Sequence, residues 1–266
     1  MKVGESLMFA KIKKRLKKSF PLLLTLVVCF FVWDFFACLI DKPILPRPII
    51  VLRHFKVLWK SGAMLPHIFS SIYRLIISVM IALLVSLPVG LVCGRKQKVD
   101  KYFSPFLYLG YSLPKVLFLP IILIFLGLGD SSKICLLSTA LFFHFSLLIR
   151  DAAKSIPNNQ TQLMKSLQAT PWQTFHHLLW PACLPTIVSA LRTSLGMSLA
   201  LLFIAETFAA RSGLGYYIMN AMETRNYDTM YAAMITLGII GMIGYLLLDL
   251  LENWACSWKI TQHVDS

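Results

Sequence analysis

The chain has 266 residues, a net charge of +14, 57% hydrophobic residues and only 14% charged ones, with a mean hydropathy of +0.70. A soluble domain carries about 25% charged and about 45–50% apolar residues, so the composition excludes an ordinary soluble protein. It indicates an all-α, polytopic membrane protein in contact with lipid. The positive charge does not point to nucleic acid, because the basic residues gather at the ends of apolar runs, where Lys and Arg hold loops on the cytoplasmic side.

The first element is a basic arm, with Lys11, Lys13, Lys14, Arg15, Lys17 and Lys18 ahead of Phe20. Residues 20–40 then form an apolar run whose one charge is Asp34. A signal-peptide core is about 7–15 residues long and ends at a small-x-small site. This run is longer and has no such site, so it predicts a first membrane helix that stays attached. Residues 41–66 carry Pro43, Pro46 and Pro48, then an amphipathic stretch with Arg53, Lys56 and Lys60, which predicts an interfacial helix.

A hydrocarbon core of about 30 Å takes about 20 residues of helix. On that scale residues 67–94 form a second span, ending in the basic loop Arg95, Lys96, Lys98 and Lys101. Residues 102–126 form a third, interrupted by Pro105, Pro114 and Pro120. A turn at Gly127, Gly129 and Asp130 leads to a fourth, 134–149. The remainder reads as a polar segment 150–177, a fifth span 178–208, a polar loop 209–228 and a sixth span 229–254. Three regions follow: 1–66 with the arm, first helix and outer amphipathic segment; a core of 67–258; and a tail, 259–266.

Six spans put both termini on one side. The segments that share that side (the arm, 95–101, 150–177 and Lys259) hold 15 basic residues, against 8 in 41–66, Lys133, Arg211 and Arg225. The positive-inside bias therefore predicts cytoplasmic N- and C-termini.

The six cysteines are scattered singly and show no metal-ligand spacing. His144, His176 and His177 have none either, so no metal or cofactor is expected. Charges at bilayer depth are costly and face protein or water by default. Asp34 reads as a pairing residue, Arg74 as a side chain able to snorkel from the end of its helix, and Asp249 as an ion-pair partner. Lys115 follows Pro114 in a proline-broken helix, and broken helices often line cavities. Arg192 and Glu206 stand about 21 Å apart along one helix at 1.5 Å per residue, so each needs another partner. Pro114, Lys115, Arg192 and Glu206 are the candidate translocation-pathway residues.

Between the fourth and fifth spans lies QLMKSLQATPWQTFHHLLWPACLP, residues 162–185. Its pattern is a helix, a turn at Ala169-Thr170-Pro171-Trp172, and a second helix. Such a loop is either a linker or a docking surface that passes force to the membrane helices.

These residues resemble the cytoplasmic loop of the inner-membrane permeases of binding-protein-dependent ABC importers, of the nitrate/sulfonate/taurine type. That loop reads Glu-Ala-Ala, then Gly six residues after the Glu, then a Leu-Pro-x-x-Leu-Pro-like end. Gln162 stands at the Glu position, Leu163 and Met164 at the two Ala positions, and Gln168 at the Gly position. The resemblance extends from residue 44 to 258, through Leu45-Pro46-x-Pro48, Ser61-Gly62, Ser71-x-x-Arg74, Pro88-x-Gly90, Pro114-Lys115, Leu119-Pro120 and Gly127-x-Gly129. Ser132-Lys133, Leu191-Arg192, Ala205-Glu206 and Ser212-Gly213-Leu214-Gly215-Tyr216 continue it.

The resemblance implies the fold of a type I ABC importer permease, working as a homodimer with two cytoplasmic ATPase subunits and an extracytoplasmic solute-binding protein. The solute would be a sulfonate, a nitrate-like oxyanion or a thiamine precursor. The ATPase-coupling residues would be Gln162, Leu163, Met164, Lys165, Ser166, Leu167, Gln168, Ala169, Thr170, Pro171, Trp172 and Phe175. The departures are Gln for both Glu and Gly, and Leu and Met for the small residues; Gly permits a turn that Gln adopts only with strain. No Gly-x-x-x-x-Gly-Lys-Ser/Thr phosphate loop is present, so ATP would be bound by a separate subunit. An ion-gradient-driven secondary transporter would instead carry inverted repeats and mid-depth acids, and a membrane enzyme a catalytic cluster; the sequence has neither pattern.

Overall fold

A computed structural model describes residues 24–25 and 27–255, with the side chain of residue 209 excepted. The basic arm, the start of the first span and the tail 259–266 lie outside these residues. The described chain is helical. In order it runs α1 (Val27–Ile40), α2 (Pro48–Ser61), α3 (Leu65–Arg95), α4 (Gln97–Ser112), a 3-10 turn (Lys115–Phe118), α5 (Leu119–Leu126) and α6 (Asp130–Lys154). Then come α7 (Asn158–Ser166), α8 (Pro171–Thr174), a π turn (Phe175–Leu179), α9 (Trp180–Ala209), α10 (Leu214–Glu223) and α11 (Tyr227–Ala255).

Four of these are long and apolar enough to cross a membrane: α3, α6, the 38-residue run Pro171–Phe208, and α11. The helices on either side of Pro114 are bent by 89° and together have the length and apolar content of a fifth, broken span. They correspond to five of the six expected spans, and α1 is the described part of the first.

Local chemistry sets the boundaries. Pro48 opens α2 at a position where its missing N–H is not needed. Gly62 closes α2 in the left-handed region, φ 71°. The centre of the molecule is the α3–α6 pair, the most extensive helix contact, with α9 on its other side. Gly90 and Gly94 let the two backbones meet: a Cβ on Gly94 would lie 2.5 Å from the Arg150 carbonyl oxygen. Leu141, Phe145, Ile149 and Ala153 of α6 fill the seam with Ala82 and Leu91 of α3 and Cys183 and Ile187 of α9.

One expectation is corrected. Residues 209–228, read as a polar loop, contain α10, which buries Leu214, Ile218 and Ala221 against Met64, Ile68 and Met230. α10 is only ten residues long and lies in a stretch rich in polar residues, so its hydrophobic face is marked by packing and not by a long apolar run. By contrast, the apolar stretch of α11 is almost wholly unburied within the protomer.

Candidate functional site

The loop read as an ATPase-coupling segment is a braced helix-turn-helix. α7 ends in a paired-carbonyl cap: Gln168 N–H donates to Lys165 O and Ala169 N–H to Met164 O, each at 3.0 Å. This is the helix ending that normally places Gly in the left-handed region, and here Gln168 occupies it with φ 54°. The next helix starts with a reciprocal cap. Gln173 N–H donates to Thr170 Oγ1 at 3.2 Å, and Thr170 N–H donates to Gln173 Oε1 at 2.8 Å, ahead of Pro171 at the first helical position.

The two ends of the loop have opposite environments. Phe175, Leu178 and Leu179 of the π turn pack with Ile156 onto the α3–α6–α9 core. Leu163, Leu167 and Trp172 are 59, 68 and 71% exposed. Trp172 lies over Phe175 and His176, ring centroids 5.5 and 6.4 Å away. Phe175 is therefore the anchored root of the segment, while Leu163, Leu167 and Trp172 form its open apolar tip. Arg95, at the end of α3, donates to Thr161 Oγ1 and to Ala153 O, tying α7 to the core.

Beneath the loop, Asp100 accepts from Arg150 Nε and Nη2 at 2.5 and 2.9 Å and from Lys154 Nζ at 3.1 Å, with Ser104 Oγ donating as well. Arg150 also reaches Tyr108 Oη and Asp151. This network fixes α4 to α6, and the expected basic loop 95–101 is mostly the first turn of α4, with Lys96 alone between α3 and α4.

A second network sits at the opposite end of α3, α6 and α9. Arg74 and Glu206 are 2 and 1% exposed and meet at 2.6 Å. Arg74 also donates to Asp130 Oδ1 from Nε at 2.8 Å and Nη2 at 2.7 Å, and to Ser212 O at 2.8 Å. Ser71 Oγ donates to the Glu206 carboxylate at 2.8 Å, and Leu214 N–H donates to Ser71 Oγ at the same distance. Gly215 N–H closes the set on Glu206 Oε2 at 2.9 Å. Gly213 turns the chain at φ 112°, and a Cβ there would fall 2.3 Å from Glu206 Cδ. Arg74 is thus a buried ion-pair partner and does not snorkel.

The four pathway candidates are not brought together. Glu206 is enclosed in this knot. Arg192 donates to Asp249 at 3.0 Å and to Glu252, tying α9 to α11 near the loop side, with its guanidinium 5.5 Å from the Tyr245 ring centroid. Asp249 is an ion-pair partner, as expected. Pro114 and Lys115 stand at the 89° bend and line a cleft of about 460 Å³ between α4, α6 and α9. Among the described residues no group of His, Cys, Asp and Glu is arranged to hold a metal.

Residues 86–255 match the family model described as "binding-protein-dependent transport system inner membrane component". The chain belongs to this family. The permease is 29% identical over 259 residues to the taurine transport system permease protein TauC of Escherichia coli K12, covering 92% of this chain and 94% of that one. It is 26% identical over 220 residues to the putative aliphatic sulfonates transport permease protein SsuC of Bacillus subtilis 168, covering 83% and 80%. Its fold is similar to a chain of a bacterial ABC transporter involved in alginate import, with TM-score 0.66 and 17% identity, over 91% of this chain and 98% of that one. The protein is a transmembrane transport subunit and not an enzyme.

Sequence reasoning singled out Arg74 and Glu206 but did not pair them, since 132 positions separate them. It missed Asp100, Arg150 and Asp130 as network members. The available signal was an acid at each helix start, Asp100 and Asp130 in the first turns of α4 and α6, facing a buried Arg from a neighbouring helix.

Proposed function

We propose that two copies of this permease form the translocation path of an ATP-driven importer, and that residues 162–175 dock into a separate cytoplasmic ATPase subunit. The observation that carries the proposal is the tip of the loop. Leu163, Leu167 and Trp172 stand in the open on a segment rooted in the core by Phe175 and braced by Arg95. Exposed apolar side chains on a braced support suit an interface anchor, and aromatic residues often dominate such interfaces. A push on the tip would be transmitted through the π turn directly into α9.

The family supports a partner outside the membrane that delivers solute, since its name is that of a binding-protein-dependent system. The relatives named for taurine and aliphatic sulfonates favour a sulfonate as cargo. The unburied face of α11 offers lipid or a second copy an extended surface. The 15-to-8 distribution of basic residues favours cytoplasmic termini, which puts the loop on the ATPase side.

Co-purification tests the reading. The permease expressed with its ATPase should retain that subunit, and Trp172→Ala should release most of it while leaving the permease in the membrane. Unchanged retention in both Trp172→Ala and a Leu163→Asp/Leu167→Asp variant would reduce the segment to a linker.

A further inference from the structure

Arg74, Arg150 and Arg192 each face carboxylates within the protomer. Lys115 does not. Among the described residues its ammonium donates to two backbone carbonyls, Tyr111 O at 2.8 Å and Leu113 O at 2.7 Å. It otherwise faces rings, with the Phe143 centroid at 5.7 Å and the Tyr111 centroid at 5.9 Å. An ammonium has three N–H donors, so one is left after the carbonyls. Those carbonyls belong to the end of α4, where a cation is favourable, but they carry no formal charge and leave the ammonium without a counter-ion.

The same cleft contains an unsatisfied polar group. His144 lies across it on α6, its ring stacked on Tyr111 with centroids 6.0 Å apart. Its Nε2 is buried and has no hydrogen-bond partner. A buried polar atom without a partner costs free energy and calls for an explanation. No carboxylate lines the cleft among the described residues; its other walls include Ser112, Val116 and Met197. Its volume of about 460 Å³ is within the range of small-molecule sites.

We propose that this bend is an anion subsite in which Lys115 and His144 receive the sulfonate or oxyanion group of the transported solute. The inference rests on the importer reading and narrows its cargo. A sulfonate oxygen accepts from the third N–H of Lys115, and the Nε2–H tautomer of His144 donates to another oxygen. A neutral thiamine precursor would satisfy His144 and leave the ammonium without a counter-charge. The 89° bend supplies the room, because it opens the helix at Pro114 where a straight span would fill the space.

Paired thiol reagents test the proposal without requiring the cargo to be known. A Ser112→Cys variant, assembled with its ATPase in proteoliposomes, is treated with 2-sulfonatoethyl methanethiosulfonate or with its trimethylammonium counterpart. Modification at position 112 is read by peptide mass, so the native cysteines can stay. Each rate is divided by that of the same reagent with a free thiol. Changes in the reactivity of the introduced thiol itself then cancel in the ratio. The anionic reagent should react about tenfold faster than the cationic one, the scale of one unit charge acting across a partly wet cleft. Lys115→Met should bring the ratio to one or below, and Lys115→Arg should preserve it. Val116→Cys provides a second position if Ser112→Cys does not assemble. A ratio at or below one with Lys115 in place, a ratio unmoved by Lys115→Met, or no labelling at either position overturns the subsite. Failure of the importer reading has a separate signature, since wild-type permease would then retain no ATPase whatever the ratio.

Discussion

The two ends of the α3–α6–α9 core are built on opposite terms. At the Arg74 end the charges of the buried knot answer one another inside the protomer: Arg74, Glu206, Asp130 and the Ser71 hydroxyl are joined to the backbone of the α9–α10 turn. At the Arg95 end the backbone is equally well tied, by the Asp100–Arg150 network and by two helix caps. There, however, the apolar side chains Leu163, Leu167 and Trp172 are left in the open. The first end is self-sufficient and holds its shape alone. The second is a rigid support with an uncovered contact face, which is what a docking element needs.

If the comparison is right, substitutions at the two ends should differ in kind. The largest effect belongs to the Arg74 end. Removing one member of a buried ion pair strands the other, so Arg74→Leu or Glu206→Leu should cost about 3–5 kcal/mol. The loss should be visible as a lower melting temperature or poor recovery in detergent. The double variant should be less damaged than either single change, because no fully buried charge is then stranded and Asp130, half exposed, turns to water; equal or worse damage would show that the backbone contacts of Arg74 outweigh the pair. Gly213→Ala should also destabilise, since its Cβ would overlap the Glu206 carboxylate and the residue would have to keep φ 112°.

A smaller effect of opposite sign is expected at the loop. Gln168 holds a left-handed conformation that costs a residue with a side chain about 1–2 kcal/mol. Gln168→Gly should therefore stabilise the cap by a comparable amount, less the entropy that Gly adds to the unfolded chain. A slightly higher melting temperature, or slower proteolysis at the 166–170 turn, would register it. The smallest effect on the fold belongs to Trp172→Ala. At 71% exposure its loss should change stability by no more than about 0.5 kcal/mol. A large loss of stability there would erase the distinction between the two ends.

The sequence made the helices legible because each long span is a continuous apolar run, and the broken third span was announced by Pro114. Pro88 and Pro105, in contrast, sit inside α3 and α4 without ending them. α10 was not legible, because it is only ten residues long and its buried face gains its meaning from Met64 and Ile68, nearly 150 positions away. The loop was legible through resemblance, and Gln168 shows why the family's Gly position matters: the turn keeps its left-handed geometry even when the residue changes. The partners of Arg74 and Arg192 could not be read, since pairing between distant helices leaves no periodic trace. What the sequence did show was that Arg192 needed one; Arg74 it read as able to snorkel.

Coupling of the exposed tip to an ATPase is tested most directly by ATP hydrolysis stimulated by loaded binding protein. The complex carrying Leu163→Asp and Leu167→Asp together should lose this stimulation, as should one carrying Trp172→Ala, while the permease itself melts within a few degrees of wild type. Full stimulation in both variants, with the ATPase still bound, would contradict the account.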